Sequence, residues 1–107
     1  MLAPCRAILG LAVIVASTSL AHAQDQPGAD LKRNQPPLVA ALIDRIINCN
    51  HWLGEPPYDD ARAKEINATV AKLGCKDLAK DEASVLRRYP GNRSAQEAIR
   101  AAHRIVL

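Results

Sequence analysis

Residues 36–53 read PPLVAALIDRIINCNHWL, and the spacing of their apolar side chains decides the fold class. Leu38, Val39, Leu42, Ile43, Ile46, Ile47, Cys49 and Leu53 recur at helical intervals. At 100° per residue they fill about half the circumference and leave Asp44 and Asn48 outside it. A stripe that wide belongs to a helix touched by more than one neighbour. Pro37 suits its first turn, where a missing N–H has no partner in any case.

Three further segments carry helical patterns downstream. From Asp59 or Asp60, either of which can cap a helix and favour its positive end, Ala63, Ile66, Val70 and Leu73 form a narrow stripe. Gly74 is a natural residue just past the end of that helix. A short helix over 82–89 places Val85, Leu86 and Tyr89 on one side, and Pro90-Gly91-Asn92 stops it. Ser94-Ala95-Gln96-Glu97 then reads as a capping box. The helix it opens directs Ala95, Ala98, Ile99, Ala102, Ile105 and Val106 inward and Arg100 and Arg104 outward. No stretch alternates like a strand. The expectation is an all-α domain, a small bundle of three to four short helices.

Upstream of the central helix the chain changes character twice. Residues 1–23 read as a cleaved secretory signal: Arg6, the apolar run AILGLAVIVA over 7–16, then small residues at Ala21 and Ala23. Ten apolar residues fall well short of the ~20 that span a bilayer. Residues 24–36 are polar, contain Pro and Gly, and read as a flexible leader to a single helical domain over 37–107. Cys5 leaves with the signal, so Cys49 and Cys75 remain as an even pair in an oxidising compartment. Bridged, they close a loop of about 26 residues, which stabilises by roughly 3–4 kcal/mol in the chain-entropy estimate. A domain this small buries only about 60–65% of its unfolded surface, so that staple matters. The expected location is the periplasm or the exterior, with no stable membrane insertion after cleavage.

Between the first two helices lies CNHWLGEPPYDD, residues 49–60, which holds the only tryptophan and one of two tyrosines. One reading makes it a strap that runs back along the bundle, with Trp52 and Tyr58 as a lid over the core. A second makes it a surface that binds a partner, with His51, Trp52, Glu55, Tyr58 and Asp59 as the contacts, since aromatic residues carry much of the energy at interfaces. A third takes His51, Glu55 and Asp59 as metal ligands or as the acid and base of a small hydrolase. No serine nucleophile, free cysteine or Gly-rich loop accompanies them, no catalytic residue is assigned, and no cofactor or metal is expected. His103, the other histidine of the mature chain, flanks the apolar arc of the last helix and reads as packing.

The formal net charge is +3 and falls by one when Arg6 leaves. Its distribution is uneven: Arg87, Arg88, Arg93, Arg100 and Arg104 stand against Glu97 alone over 84–107. Such a basic quarter can attract an acidic partner or an anionic envelope polymer, or simply form a solvated helix face. Nucleic acid is not expected, because the chain is exported and no aromatic residues interleave with the arginines.

Cys49, His51, Trp52, Gly54, Glu55, Pro57, Tyr58 and Asp59, with a second cysteine after the following helix, resemble a group of small exported proteobacterial proteins. Those show C-x-H-[FW]-x-G-E-E-P-Y-D; here Pro56 stands in place of the second glutamate. The resemblance covers roughly residues 49–89 and implies a bacterial envelope location. The expected function, with Trp52, Glu55 and Tyr58 as the main contacts, is binding to another cell-envelope protein without enzymatic activity, with the metal-binding or hydrolytic use of His51, Glu55 and Asp59 as the alternative.

Overall fold

The computed structural model describes residues 26–107 together with Gly10 and residues 12–14. The expected signal peptide lies, those four residues apart, outside the described residues. The described chain is all-α: α1 (Ala29–Lys32), α2 (Pro37–Gly54), α3 (Asp60–Leu73), a 3-10 turn (Cys75–Asp77), α4 (Leu78–Arg88) and α5 (Arg93–His103). No helix among these residues is long and apolar enough to cross a membrane.

α2 is the hub, as its wide stripe requires. Val39, Leu42, Ile43, Ile46 and Ile47 are buried along it and meet Ala95, Ala98, Ile99 and Ala102 of α5 in one core. Three alanines on α5 leave room for its backbone to approach α2 closely, and Ile99 fills the space between. Leu78, Val85 and Leu86 of α4 and Tyr89 close the core from the side. Gln35 Nε2 donates to Ser94 Oγ at 3.0 Å at one end, and Asn50 Nδ2 donates to the His103 carbonyl at 3.2 Å at the other. α2 and α5 therefore run parallel, and the last turn of α2 extends past the end of α5. Leu53 points along the middle of the apolar arc, yet it is 64% exposed because nothing stands opposite.

α3 is attached differently. Ile66 is its one buried residue, too little apolar contact to hold a helix of this length. The Cys49–Cys75 disulfide, with Cα atoms 5.6 Å apart, ties its end to α2. Beside it Arg45 of α2 donates from Nε to the Leu73 carbonyl and from Nη2 to the Gly74 carbonyl, both at 2.6 Å. A helix C-terminus carries unsatisfied carbonyls and partial negative charge, and a guanidinium answers both. Arg45 Nη1 also reaches Asp81 of α4 at 2.7 Å. One side chain thus fastens three helices. Gly74 takes φ 66°, and a Cβ there would stand 2.9 Å from Arg45 Nη2, so glycine is needed for both conformation and space.

The structure departs from the sequence reading in four places. α2 continues through Gly54, so His51 and Trp52 sit on its last turn, and only residues 55–58 form the connection. Asn50 to Leu53 contain no helix breaker; the stop comes at Gly54 and from Pro56, which holds Glu55 extended at ψ 127°. The capping box is not formed either. Asn92 caps α5 by accepting from the Ala95 N–H at 3.0 Å, and Ser94 is already inside the helix. Asparagine is as good a cap as serine, and here it comes first in the chain. The 3-10 turn after Cys75 leads directly into α4, which begins at Leu78 rather than near 82.

The leader expected over 24–36 contains the helical turn α1. Leu31 packs on the core, Lys32 pairs with Asp44 at 2.8 Å, and Gly28 at φ 80° lies so close to Ile47 that a Cβ would collide with it. A single turn with one apolar anchor is too short to show a period.

Candidate functional site

Asp59 has extended backbone, and its carboxylate accepts from the Arg62 backbone N–H at 2.7 Å, the N-cap of α3. This cap brings the Arg62 side chain onto the last turn of α2. Its guanidinium lies over Trp52 at 5.1 Å and over Tyr58 at 5.9 Å from the ring centroids. Nη2 meets Glu55 Oε2 at 3.3 Å, and Nη1 meets Glu65 Oε2 at 2.9 Å. The other oxygen of Glu55 faces His51 Nε2 at 3.4 Å, and the His51 ring stands edge-on to Trp52 at 5.6 Å.

His51, Trp52, Glu55, Tyr58 and Asp59 therefore surround one residue that the sequence reading missed. A signal was present, since Arg62 lies three residues after Asp59 and three before Glu65, spacings that meet on a helix. Its link to Glu55 and the rings required knowing that α2 extends to Gly54. The hydrogen bond to Glu65 raises the Arg62 pKa above its ordinary value, with Glu55 adding to it and partial burial opposing. The cation is fixed at any working pH.

The lid expected of the two aromatics is not found. Neither Trp52 nor Tyr58 belongs to the core or to the apolar side chains packed on it; the aromatic that does is Tyr89. Trp52 is half-buried, and Tyr58 is 77% exposed. The connection is too short to cross the bundle once α2 has taken up residues 50–54. Trp52 on α2 and Tyr58 on the connection flank a guanidinium in place of the core.

Chemically the carboxylates are occupied. Asp59 caps a helix, and Glu55 lies between Arg62 and His51. Among the described residues no group of three or more His, Cys, Asp or Glu side chains is placed to hold a metal ion. His51, Glu55 and Asp59 do not converge as a ligand set.

Behind the cluster a groove of about 330 Å³ runs between the end of α2 and the chain after α5, lined by His51, Gly54, Glu55, His103 and Val106 among others. His103 is exposed and pairs with Glu82 of α4 at 2.7 Å. Its role is an inter-helix tie on the surface, where the sequence reading had it as packing. The groove places both histidines at one end of the bundle, each against a carboxylate. No protein family, no curated protein and no solved structure matches this chain.

Proposed function

We propose that this is an exported, non-enzymatic helical domain that binds another protein of the bacterial envelope through the end of α2 and the connection to α3. Export rests on the signal pattern of residues 1–23 and on a disulfide of the kind kept in oxidising compartments. The binding surface rests on one observation. Tyr58 and Leu53 are 77% and 64% exposed, beside a Trp52–Arg62 stack held by Glu55, Glu65 and a helix cap. Tyr, Trp and Arg are the residue types that dominate interface energies, and neither Tyr58 nor Leu53 serves the core. Their support is already ordered before a partner arrives, so little entropy is lost on binding.

The test is a photo-crosslinking residue at Leu53, with the same probe at exposed Ala79 on α4 as the control, in the producing bacterium. A discrete cross-linked protein should form from position 53 and not from 79. Tyr58→Ala should weaken that product while leaving the melting temperature unchanged. No product at 53, or the same products at both positions, overturns the proposal.

A further inference from the structure

Arg33, Arg45 and Arg62 each meet a carboxylate. Arg93, Arg100 and Arg104 of α5 are exposed, and none takes part in an ion pair among the described residues. Glu97 is exposed as well. It pairs with neither Arg93, four residues before it, nor Arg100, three after it, although both spacings suit a pair on a helix.

These four side chains form one row along the helix. At 100° per residue they fall within about 60° of one another, and at 1.5 Å per residue they extend over about 16 Å. Ala95, Ala98, Ile99 and Ala102 on the opposite side of α5 belong to the core, so the row points away from the molecule. In chain order it reads plus, minus, plus, plus. Arg100 is in the last turn and Arg104 is the C-cap, where the helix dipole favours a cation. Arg93 opens the helix, where the dipole opposes one, and the first turn contains no acidic residue to offset it. Helix stability therefore gives no reason for Arg93, and core packing gives none for any member of the row.

An anionic bilayer or an anionic polysaccharide presents a single sign of charge, which repels Glu97 in the middle of the row. A helix that lies in a bilayer interface also inserts large apolar side chains, whereas the residues flanking this row are Ser94, Gln96 and Ala101. A helix of a second protein laid along α5 repeats the same intervals. It can set a carboxylate against each arginine and a basic group against Glu97. We propose that the outer face of α5 docks an acidic helix of a partner protein with that complementary pattern. Exposed ion pairs each contribute little, so the row orients the partner and speeds its approach more than it holds it. This is a second surface, distinct from the Trp52–Arg62–Tyr58 cluster, and it is tested separately.

The experiment places a photo-crosslinking residue at Gln96, half-buried at the edge of the row, in the full chain in the producing bacterium. A discrete product should form. Mass spectrometry should map its other half to a segment whose Asp and Glu residues recur at intervals of three and four. Each exposed pair contributes a factor of roughly 1.5–5 in affinity, so Arg93→Gln with Arg100→Gln and Arg104→Gln should lower the yield about 3- to 100-fold. Lys76→Gln with Lys80→Gln, which removes exposed charge elsewhere, should leave it unchanged. Glu97→Arg separates the kinds of partner: it should lower the yield, whereas it would tighten binding to any surface of uniform negative charge. Circular dichroism verifies that the variants are folded. No product from position 96, a mapped segment without that acidic spacing, a second copy of this chain as the partner, equal losses in the arginine and lysine variants, or a yield raised by Glu97→Arg would each overturn the proposal.

Discussion

Arg45→Met removes the guanidinium that joins α2, α3 and α4 and keeps most of the apolar stem. Two charge-assisted hydrogen bonds to the carbonyls of Leu73 and Gly74 are lost. Bonds of that kind contribute about 1.5–3 kcal/mol each when buried. The Arg45 side chain is 25% exposed, so water replaces part of what is lost and the two together come to about 2–4 kcal/mol. The Asp81 pair adds little, since the Asp81 side chain is 43% exposed and such pairs contribute ~0–1 kcal/mol. For a domain of this size a loss of 2–4 kcal/mol lowers Tm by roughly 10–25 °C. The assay is urea and thermal unfolding followed by circular dichroism at neutral pH, with the disulfide kept oxidised so that the unfolded state is the same in every variant. Asp81→Asn should fall within about 1 kcal/mol of the parent. Arg45→Lys should lie between the two, because an ammonium cannot reproduce the fork that meets both carbonyls. An Arg45→Met protein within 0.5 kcal/mol of the parent would refute the reasoning, and α3 would then have to be held by Ile66 and the disulfide alone.

Two other outcomes follow from the same packing. Replacing Cys49 and Cys75 together by alanine should lower stability by about 3–4 kcal/mol, the loop-closure value for a separation of 26 residues, and should abolish the dependence of the urea midpoint on reductant. Ile46→Ala, at a fully buried position on α2, should lose about 2–5 kcal/mol, whereas Leu53→Ala, seven residues on and 64% exposed, should stay within about 0.5 kcal/mol in the same unfolding series.

The contrast between Ile46 and Leu53 shows where sequence periodicity stops. Both sit within the apolar arc of α2, and the angle is a local property that any reader of the chain can compute. Burial needs a neighbour opposite, and α5 ends beside Asn50. Leu53 therefore passes from core to surface through the length of another helix. The cap of α5 moved for a local reason, since Asn92 and Ser94 are comparable acceptors and only their competition sets the start. The candidate site was legible in part. His51, Trp52, Glu55, Tyr58 and Asp59 do gather at one place, but the residue that gathers them, Arg62, enters from the next helix.

What the sequence determined by itself is the helical class, the dominance of α2, the stop at Gly74 and the pairing of Cys49 with Cys75. These depend on side-chain period, on backbone preferences and on cysteine number, all of which act along a few turns of chain or by elimination. What only the tertiary structure decided is the docking of Leu31 from the N-terminal segment, the fastening by Arg45, the Arg62 stack and the exposure of Tyr58. Each of these depends on the distance between groups far apart in the chain. A long flexible side chain such as arginine has the same local preferences whether it finds two carbonyls, two rings or only water. Its partner is chosen when the helices pack.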